Sequence, residues 1–235
     1  MSAGRLIVFE GPDHVGRSTH AEALRLKLVA NGVPVIITGL ARSEILGDVL
    51  KSGNKDIHDF GPKTRALLYA TDLVDQIENV IKPSIDAGFV VIADRYIFTP
   101  VIRESLRGVD PDWSLNLYST APEPDLTILL KSGPRRLLQR VIYSGNVGTL
   151  SRYESGMDLG FSSIPTLSFL EYQSKLRDAF DRFAIDKGIP SISTSQGKPE
   201  VEKKIWKEVA PVVNDLIFAD PVSYTHLTLP TKPFV

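Results

Sequence analysis

The residues best suited to chemistry lie in one short loop near the start of the chain. Residues 11–18 read Gly-Pro-Asp-His-Val-Gly-Arg-Ser and fit the pattern G-x-x-x-x-G-K-[ST], except that arginine stands where the pattern has lysine. In such a loop the backbone N–H groups converge on phosphate oxygens, and the glycines leave room for the phosphates to approach. The following helix presents its positive N-terminal end, and a serine hydroxyl is a suitable ligand for Mg²⁺. The loop therefore predicts a nucleotide phosphate site formed by Gly11, Pro12, Asp13, His14, Val15, Gly16, Arg17, Ser18 and Thr19.

Arg17 is the departure from this pattern. Lysine carries a compact point charge, whereas arginine is longer, planar and always charged. Arg17 is still able to neutralise phosphate, so we expect nucleotide binding to survive the change better than the catalytic rate does. The alternative interpretation of the whole loop is an ordinary glycine-rich turn between a strand and a helix.

A second group of chemically useful residues follows an apolar run at 89–93. The run ends in Asp94-Arg95-Tyr96, which places a carboxylate at the carboxyl edge of a sheet, where ligands bind in open α/β folds. We expect Asp94 to hold Mg²⁺ through water and Arg95 to bind an anionic second substrate. The alternative is a structural ion pair between the two residues.

The elements that must position these residues are visible as short apolar runs at 6–9, 33–38, 89–93, 126–130 and, more weakly, 190–193. The runs are continuous rather than alternating, which is typical of strands buried on both faces of a parallel sheet. Segments with helical spacing lie between and after them, at 19–31, 64–87, 134–141, 168–187 and 201–217. Strands that alternate with helices predict one doubly wound α/β domain.

Composition excludes several other kinds of protein. The chain has 235 residues, 27 basic and 28 acidic side chains and a net charge of −1, which argues against a globally basic nucleic-acid binder. It has no cysteine, which excludes disulfides, thiolate zinc sites and a cysteine nucleophile. No apolar run approaches the roughly 20 residues of a membrane span. We expect a cytoplasmic protein without nucleic-acid or membrane partners.

The last sixteen residues differ in character from the rest. Residues 220–235 hold three prolines and three threonines and show no helical or strand period. We expect this segment to be a non-native or disordered tail and place the domain at residues 1–219.

Four segments taken together closely resemble the thymidylate kinase family. They are Phe-Glu-Gly-Pro-Asp at 9–13, Gly-Arg-Ser-Thr at 16–19, Leu-Leu-Tyr-Ala at 67–70 and Asp-Arg-Tyr at 94–96. The resemblance covers most of residues 4–215 and includes Arg-Tyr-Glu at 152–154, in the region of that family's mobile lid. It implies a three-layer P-loop NTPase fold with a five-stranded parallel sheet and a lid at about 141–158. It also implies Mg²⁺-dependent transfer of the γ-phosphoryl group of ATP to a deoxynucleoside monophosphate, most simply dTMP.

The resemblance also implies roles for individual residues. Asp13 is expected to face the sugar of the acceptor, Arg95 to contact its phosphate and Tyr69 to stack on its base. Arg42 falls where some members place another phosphate-binding arginine, and its alternative is a solvated loop charge. The predicted substrate-binding residues are thus Asp13, Arg42, Tyr69, Arg95 and Tyr96, and the predicted metal ligands are Ser18 and Asp94.

The predicted catalytic residues are Arg17, Asp94, Arg95 and a lid arginine. Glycines that flank a basic segment suit a closing loop that brings arginine to the phosphates. Arg140 and Arg152 are both candidates for this role, and Arg152 is the one included in the predicted catalytic set. The alternative for both is a solvated arginine on the protein surface.

Two departures from the family concern the acceptor base. Leu73 stands where thymidylate kinases generally carry an arginine that helps to hold thymine, and residues 97–104 lack the usual base-pocket pattern. Arg103 is a candidate replacement from the other side. The acceptor is therefore left open between dTMP and another nucleotide or nucleoside, and a nucleotide-binding regulator without catalysis is the third alternative. A homodimer, common in that family, is a further expectation, with segments 64–87 and 168–187 as candidate surfaces.

Overall fold

The computed structural model describes residues 4–46, 59–144 and 150–217. Five parallel strands form one sheet in the order β2-β3-β1-β4-β5. The strands are β1 Arg5–Glu10, β2 Val35–Gly39, β3 Val90–Asp94, β4 Leu126–Lys131 and β5 Ser191–Ser193. All five apolar runs are thus strands, and the five-stranded parallel α/β fold predicted from the sequence is confirmed.

Eight α-helices in the described part of the chain cover the two faces of the sheet. They are α1 Arg17–Ala30, α2 Pro62–Gln76, α3 Lys82–Asp86, α4 Phe98–Ser105, α5 Pro111–Asn116, α6 Pro134–Tyr143, α7 Pro165–Lys187 and α8 Lys198–Val213. A π-helical turn, Ile77–Ile81, joins α2 to α3 and accounts for the single long helix that the sequence predicts at 64–87. Helices α4 and α5 are too short to produce a helical period and were not predicted.

The core consists of two apolar layers, one on each face of the sheet. One layer packs α1 and α8 against the sheet through residues such as Ile7, Leu28 and Val209. The other packs α2 and α4 against the opposite face and includes Leu6, Leu73 and Val101. The alternation of Leu6 and Ile7 between the layers explains why the strand sequence is continuously apolar.

The helical spacing in the sequence matches the buried faces of two helices. The buried side chains of α7 are Phe169, Tyr172, Leu176 and Phe180, and Phe183 is partly buried. Those of α1 include Ala21, Leu24 and Leu28, whereas Val29 is exposed. Val29 is the last residue but one of α1, two residues before the C-cap Asn31.

The sheet topology brings the chemically useful residues to one edge. Strands β1 and β3 are neighbours, and Phe9 is paired in register with Asp94. The loop after β1 and the segment after β3 therefore leave the sheet side by side, which is the arrangement that binds ligands in parallel sheets.

No helix in residues 4–46, 59–144 or 150–217 is long and apolar enough to cross a membrane. Part of the predicted lid, residues 145–149, and the predicted tail at 220–235 lie outside the described residues.

Candidate active site

The phosphate loop is shaped by two glycines and one buried anchor. Gly11 has φ 136°, and a Cβ at this position would lie 2.2 Å from the carbonyl oxygen of Leu130 on β4. Gly16 has φ 100° and is the N-cap residue of α1, so no side chain caps the N-terminus of this helix. Val15 between them is buried in the core. The first N–H groups of α1 are thus left available to an anion at a rigidly held loop.

Arg17 turns back into this loop. Its Nε donates to Asp94 Oδ1 at 2.8 Å, and its Nη1 donates to the carbonyl oxygens of Gly11, at 2.5 Å, and Pro12. The residue is only 6% exposed. Burial and the nearby Arg95 charge lower the pKa of Arg17 to about 10, against the opposing effect of the two aspartates. Arg17 therefore stays protonated at neutral pH and braces the loop from within.

Ser18 and Asp94 form an adjacent pair of oxygen donors. The Ser18 hydroxyl donates to Asp94 Oδ2 at 2.5 Å. Burial acts to raise the pKa of Asp94, but the charges of Arg17 and Arg95 and the Ser18 hydrogen bond bring it below its ordinary value. An ionised carboxylate beside a hydroxyl is a donor set that suits Mg²⁺.

Asp13 lies between two arginines on the other side of the loop. Arg95 Nη2 donates to Oδ1 of Asp13, and Arg103 Nη2, from α4, donates to Oδ2. Arg17 is a more distant third partner at 3.8 Å. Burial acts to raise the pKa of Asp13, but the three guanidinium groups lower it below its ordinary range. Asp13 is thus a buried carboxylate that stays ionised.

Glu10, at the end of β1, fixes the segment that carries Arg95. One of its carboxylate oxygens accepts from the backbone N–H groups of Tyr96 at 3.1 Å and Phe98 at 3.0 Å, and the other accepts from the Thr99 hydroxyl. Arg95 itself adopts φ 70°, a left-handed conformation that side chains rarely take. The Glu10 clamp holds this turn, so the direction of Arg95 is set by a residue on the neighbouring strand.

A buried network connects α4 with the far end of the predicted lid. Glu104, fully buried, accepts from Arg65 Nε at 3.0 Å and Nη2 at 2.9 Å and from the Tyr153 hydroxyl at 2.8 Å. The Arg107 guanidinium stacks 3.6 Å from the centre of the Tyr153 ring and bonds to Asp158. Segment 151–160 is therefore held against α4 by charge and by stacking.

Tyr69 and Arg42 lie on the α2 side of the site. Tyr69 is 8% exposed, and its pKa is raised by burial against the effect of Arg103 and Arg95. Arg42 is exposed, in a loop whose backbone N–H groups at Ala41 and Ser43 donate to Asp72 at 2.7 and 2.9 Å. Asp72 thus fixes the backbone on both sides of Arg42, whose side chain is exposed.

Two other predicted site residues, Tyr96 and Arg152, lie in the core and at the surface. Tyr96 is buried in the core, and its hydroxyl donates to the carbonyl oxygen of Pro122 at 3.1 Å, so its ring serves packing in this structure. Arg152 is exposed. Leu73, at the position of the expected thymine-binding arginine, packs in the core with Ala70.

Arg140, one of the two candidate lid arginines, contacts the backbone of the phosphate loop. Its Nη1 donates to the carbonyl oxygens of His14 at 3.0 Å and Val15 at 2.9 Å, and its Nη2 donates to that of Thr194 at 2.7 Å. Arg140 thus supports the outer side of the phosphate loop.

The phosphate loop, Asp94 and Arg95 line one cleft of about 600 Å³. Its lining includes Asp13, Arg17, Ser18, Asp94, Arg95 and Arg140. The structure therefore brings together the predicted phosphate-loop residues with Asp94 and Arg95.

A family model described as thymidylate kinase matches residues 9–156. The probable thymidylate kinase 2 of Saccharolobus solfataricus is 35% identical to the chain, over 77% of this chain and 83% of that protein. The chain belongs to the thymidylate kinase family. The probable thymidylate kinase of Pyrobaculum aerophilum is 27% identical over 88% of this chain and 97% of that protein. For that of Pyrococcus horikoshii, the identity is 31%, over 66% of this chain and 77% of that protein.

Sequence reasoning missed three features of this thymidylate kinase family member. Glu10 was noted only as part of a motif, although a charged residue that ends a buried strand is itself a signal of a structural clamp. The pairing of Arg103 with Asp13 and of Glu104 with Tyr153 carries no comparable signal. The partners are 90 and 49 residues apart, and only the folded chain brings them together.

Proposed function

We propose that this protein transfers the γ-phosphoryl group of ATP to dTMP, giving ADP and dTDP. The observation that carries the proposal is the meeting, in one cleft, of a phosphate loop with two arginine-paired carboxylates. Asp94 stands with Ser18 on the loop side, and Asp13 stands with Arg95 on the other. Membership of the thymidylate kinase family supports the nature of the acceptor.

The chemistry requires little from the protein beyond positioning and charge. An oxygen of the acceptor phosphate attacks the γ-phosphorus of ATP, a new P–O bond forms, and the bond between the γ-phosphorus and the β,γ-bridging oxygen breaks. ADP leaves with the electron pair of that bond. An acceptor phosphate oxygen is already a nucleophile, so no general base is needed, and cationic side chains supply most of the acceleration.

On the ATP side, the loop N–H groups and Arg17 bind the phosphates. Ser18 and Asp94 would hold Mg²⁺, which would neutralise charge on the nucleotide phosphates. Arg17 shares Asp94 with Ser18, so its charge lies beside the residues that would hold the cation.

On the acceptor side, Arg95 binds the phosphate of dTMP and leaves Asp13. Its Nε is buried without a hydrogen-bond partner among the described residues, so it has a donor to spare for a ligand. Tyr69 stacks on the base, and Asp13 faces the sugar. Arg42 and Arg152 are both exposed and are candidates to approach the phosphates from outside the cleft.

A coupled ADP-release assay with ATP, Mg²⁺ and a panel of nucleoside monophosphates tests this function. We expect turnover that is selective for dTMP. Turnover with another monophosphate and none with dTMP would show that the other monophosphate is the acceptor. Nucleotide-dependent thermal stabilisation without any turnover would instead indicate a binding protein, since a ligand that binds only the folded state raises its stability. Homodimerisation and a cytoplasmic location stay predictions.

A further inference from the structure

A second cavity, called here the α1–α8 groove, lies between these two helices and has a volume of about 310 Å³. Its lining combines apolar side chains such as Leu24 and Ile205 with the Trp206 indole and with charged and polar groups. This volume is at the lower end of the range for small-molecule sites. The groove therefore fits a single ring system rather than a whole nucleotide.

Trp206 gives the groove an aromatic surface. The residue is partly buried against the core, and Lys27 Nζ lies 4.0 Å from the centre of its ring. A lysine held over an indole restricts both side chains. Planar rings pack favourably against such a fixed aromatic surface.

Two buried polar atoms on the groove lining lack hydrogen-bond partners among the described residues. They are His20 Nδ1 and Glu202 Oε1. Glu202 also has Lys198 at 3.7 Å, beyond hydrogen-bond distance. Burial lowers the pKa of His20 against the effect of the Glu202 carboxylate, so the two groups lie near each other. A buried polar atom without a partner costs stability, and a ligand that pairs with both atoms removes that cost.

His20 has the other edge of its imidazole towards the phosphate loop. A Cβ placed on Gly16 would lie 3.6 Å from Cδ2 and 3.8 Å from Nε2 of this ring. Because Nδ1 is opposite that edge in the ring, it points away from Gly16. In the described part of the chain, His20 is the one residue that lines both the groove and the cleft at the phosphate loop.

We propose that the α1–α8 groove is a second small-molecule site, which takes a single nucleobase-type ring and is coupled to the phosphate loop through His20. This site is separate from the two substrate positions of the proposed function and goes beyond it.

The two polar atoms without partners define the class of ring. An ionised carboxylate only accepts hydrogen bonds, so Glu202 Oε1 requires an N–H donor, whereas His20 Nδ1 donates or accepts according to its tautomer. Pyrimidine and purine bases carry an N–H group beside a carbonyl oxygen or a ring nitrogen. One edge of such a base therefore pairs with both atoms while its face packs in the groove beside Trp206.

The position of His20 gives the coupling its direction. A ring bound to Nδ1 restricts rotation of the imidazole, whose opposite edge lies beside Gly16. The phosphate loop is then held more rigidly, so a nucleotide loses less freedom on binding to it. The groove ligand is therefore expected to strengthen ATP binding, and ATP to strengthen binding in the groove by the same factor.

Trp206 fluorescence provides a direct readout of the groove. The chain has two tryptophans, so Trp113→Phe leaves Trp206 as the single indole. Titration of this protein with thymine or with adenine is expected to change the Trp206 emission, with a Kd of about 1 mM or lower for at least one of them. A response to one base alone identifies the ring as pyrimidine or purine. For thymine, 1,3-dimethylthymine is the matched control, because it has no N–H group and is expected to bind about tenfold more weakly.

Glu202→Met, made in the Trp113→Phe protein, removes the acceptor and is expected to raise the Kd of the bound base about tenfold. Glu200→Met makes the same change at an exposed position of α8 and is the matched control, with an expected Kd within about twofold of its parent. Calorimetry with an ATP analogue that is not hydrolysed is expected to show about fivefold tighter binding when the base saturates the groove.

Each outcome bears on a stated part of the inference. An unchanged Trp206 emission with both bases, an equal affinity for thymine and 1,3-dimethylthymine, or an unchanged Kd in a folded Glu202→Met variant overturns the site. A bound base that leaves the affinity for the ATP analogue unchanged overturns the coupling through His20. If Glu202→Met does not fold, as judged by its thermal transition, the titrations of the Trp113→Phe protein decide. None of these measurements involves phosphoryl transfer, so an absence of turnover with dTMP overturns the proposed function alone.

Discussion

Asp94 and Asp13 are both carboxylates that burial would tend to neutralise, and different partners keep each of them ionised. Both are nearly buried carboxylates at the same edge of the sheet, and arginines lower the pKa of both. Asp94 ends a strand and pairs with Arg17 and Ser18, which are consecutive residues of α1. Asp13 belongs to the loop and pairs with arginines that follow β3 and lie on α4.

The difference separates a rigid site from an adjustable one. A carboxylate on strand backbone with a hydroxyl beside it is fixed well enough to hold a cation. A carboxylate shared by a confined and a more exposed arginine is able to exchange one partner for a substrate and keep the other. Under the proposed function, the ATP side is prepared in advance and the acceptor side is completed by the acceptor itself.

Arg95→Ala is expected to have the largest effect and to act on the acceptor side only. Removal of the cation that we propose binds the acceptor phosphate should lower kcat/KM for dTMP by about 10³-fold, while the Kd for ATP stays within about threefold of wild type. Steady-state kinetics and ATP titration provide the two values. Arg25→Ala, on the exposed face of α1, is the control. Comparable losses in kcat/KM for dTMP and in affinity for ATP would show that Asp13 and Asp94 do not act separately.

Asp13→Asn is expected to lower the free energy of unfolding by about 3 kcal/mol at pH 7, because it leaves buried arginines without a counter-charge. The pKa of Asp13 is lowered in the folded state, so the stability that its charge provides is complete above the unfolded pKa of about 4 and is lost as pH falls below it. Urea unfolding should show that the difference in free energy of unfolding between wild type and variant becomes smaller from pH 7 to pH 3. A gap that stays constant would contradict the ion pairing of Asp13.

Tyr153→Phe is expected to lower the free energy of unfolding by about 1 kcal/mol, since it removes one hydrogen bond to Glu104 and keeps the stacked ring. The thermal transition measures this loss. The Kd for ATP should not change, because the network joins α2, α4 and segment 151–160, which we propose lie on the acceptor side. A higher Kd for ATP would show that segment 151–160 contributes to ATP binding.

Arg17→Lys is expected to have the smallest effect on binding. Lysine keeps the charge beside Asp94, so the Kd for ATP should stay within about threefold of wild type and kcat should be equal or higher. Calorimetric titration with an ATP analogue that is not hydrolysed measures the affinity. A clear loss of affinity would show that the planar arginine is needed for the loop itself.

The sequence predicted the geometry around the phosphate loop and Asp94 better than the surroundings of Asp13, for a physical reason. The glycines, Arg17 and Ser18 act within eight residues of one another, and the apolar strand before Asp94 ensures that it reaches the sheet edge. Arg103 reaches Asp13 only because α4 packs beside the loop, and α4 has too few residues to show a period. Tyr96 was predicted at the substrate as part of the Asp-Arg-Tyr motif, and in the structure its ring is buried after the left-handed turn at Arg95.

Phosphorus NMR of ATP, Mg²⁺ and dTMP with the protein tests the central claim most directly, because it follows the transferred group itself. The account predicts that the γ-phosphorus signal of ATP disappears while the two signals of dTDP and those of ADP appear in equal amounts. The appearance of inorganic phosphate and ADP with dTMP unchanged would contradict it.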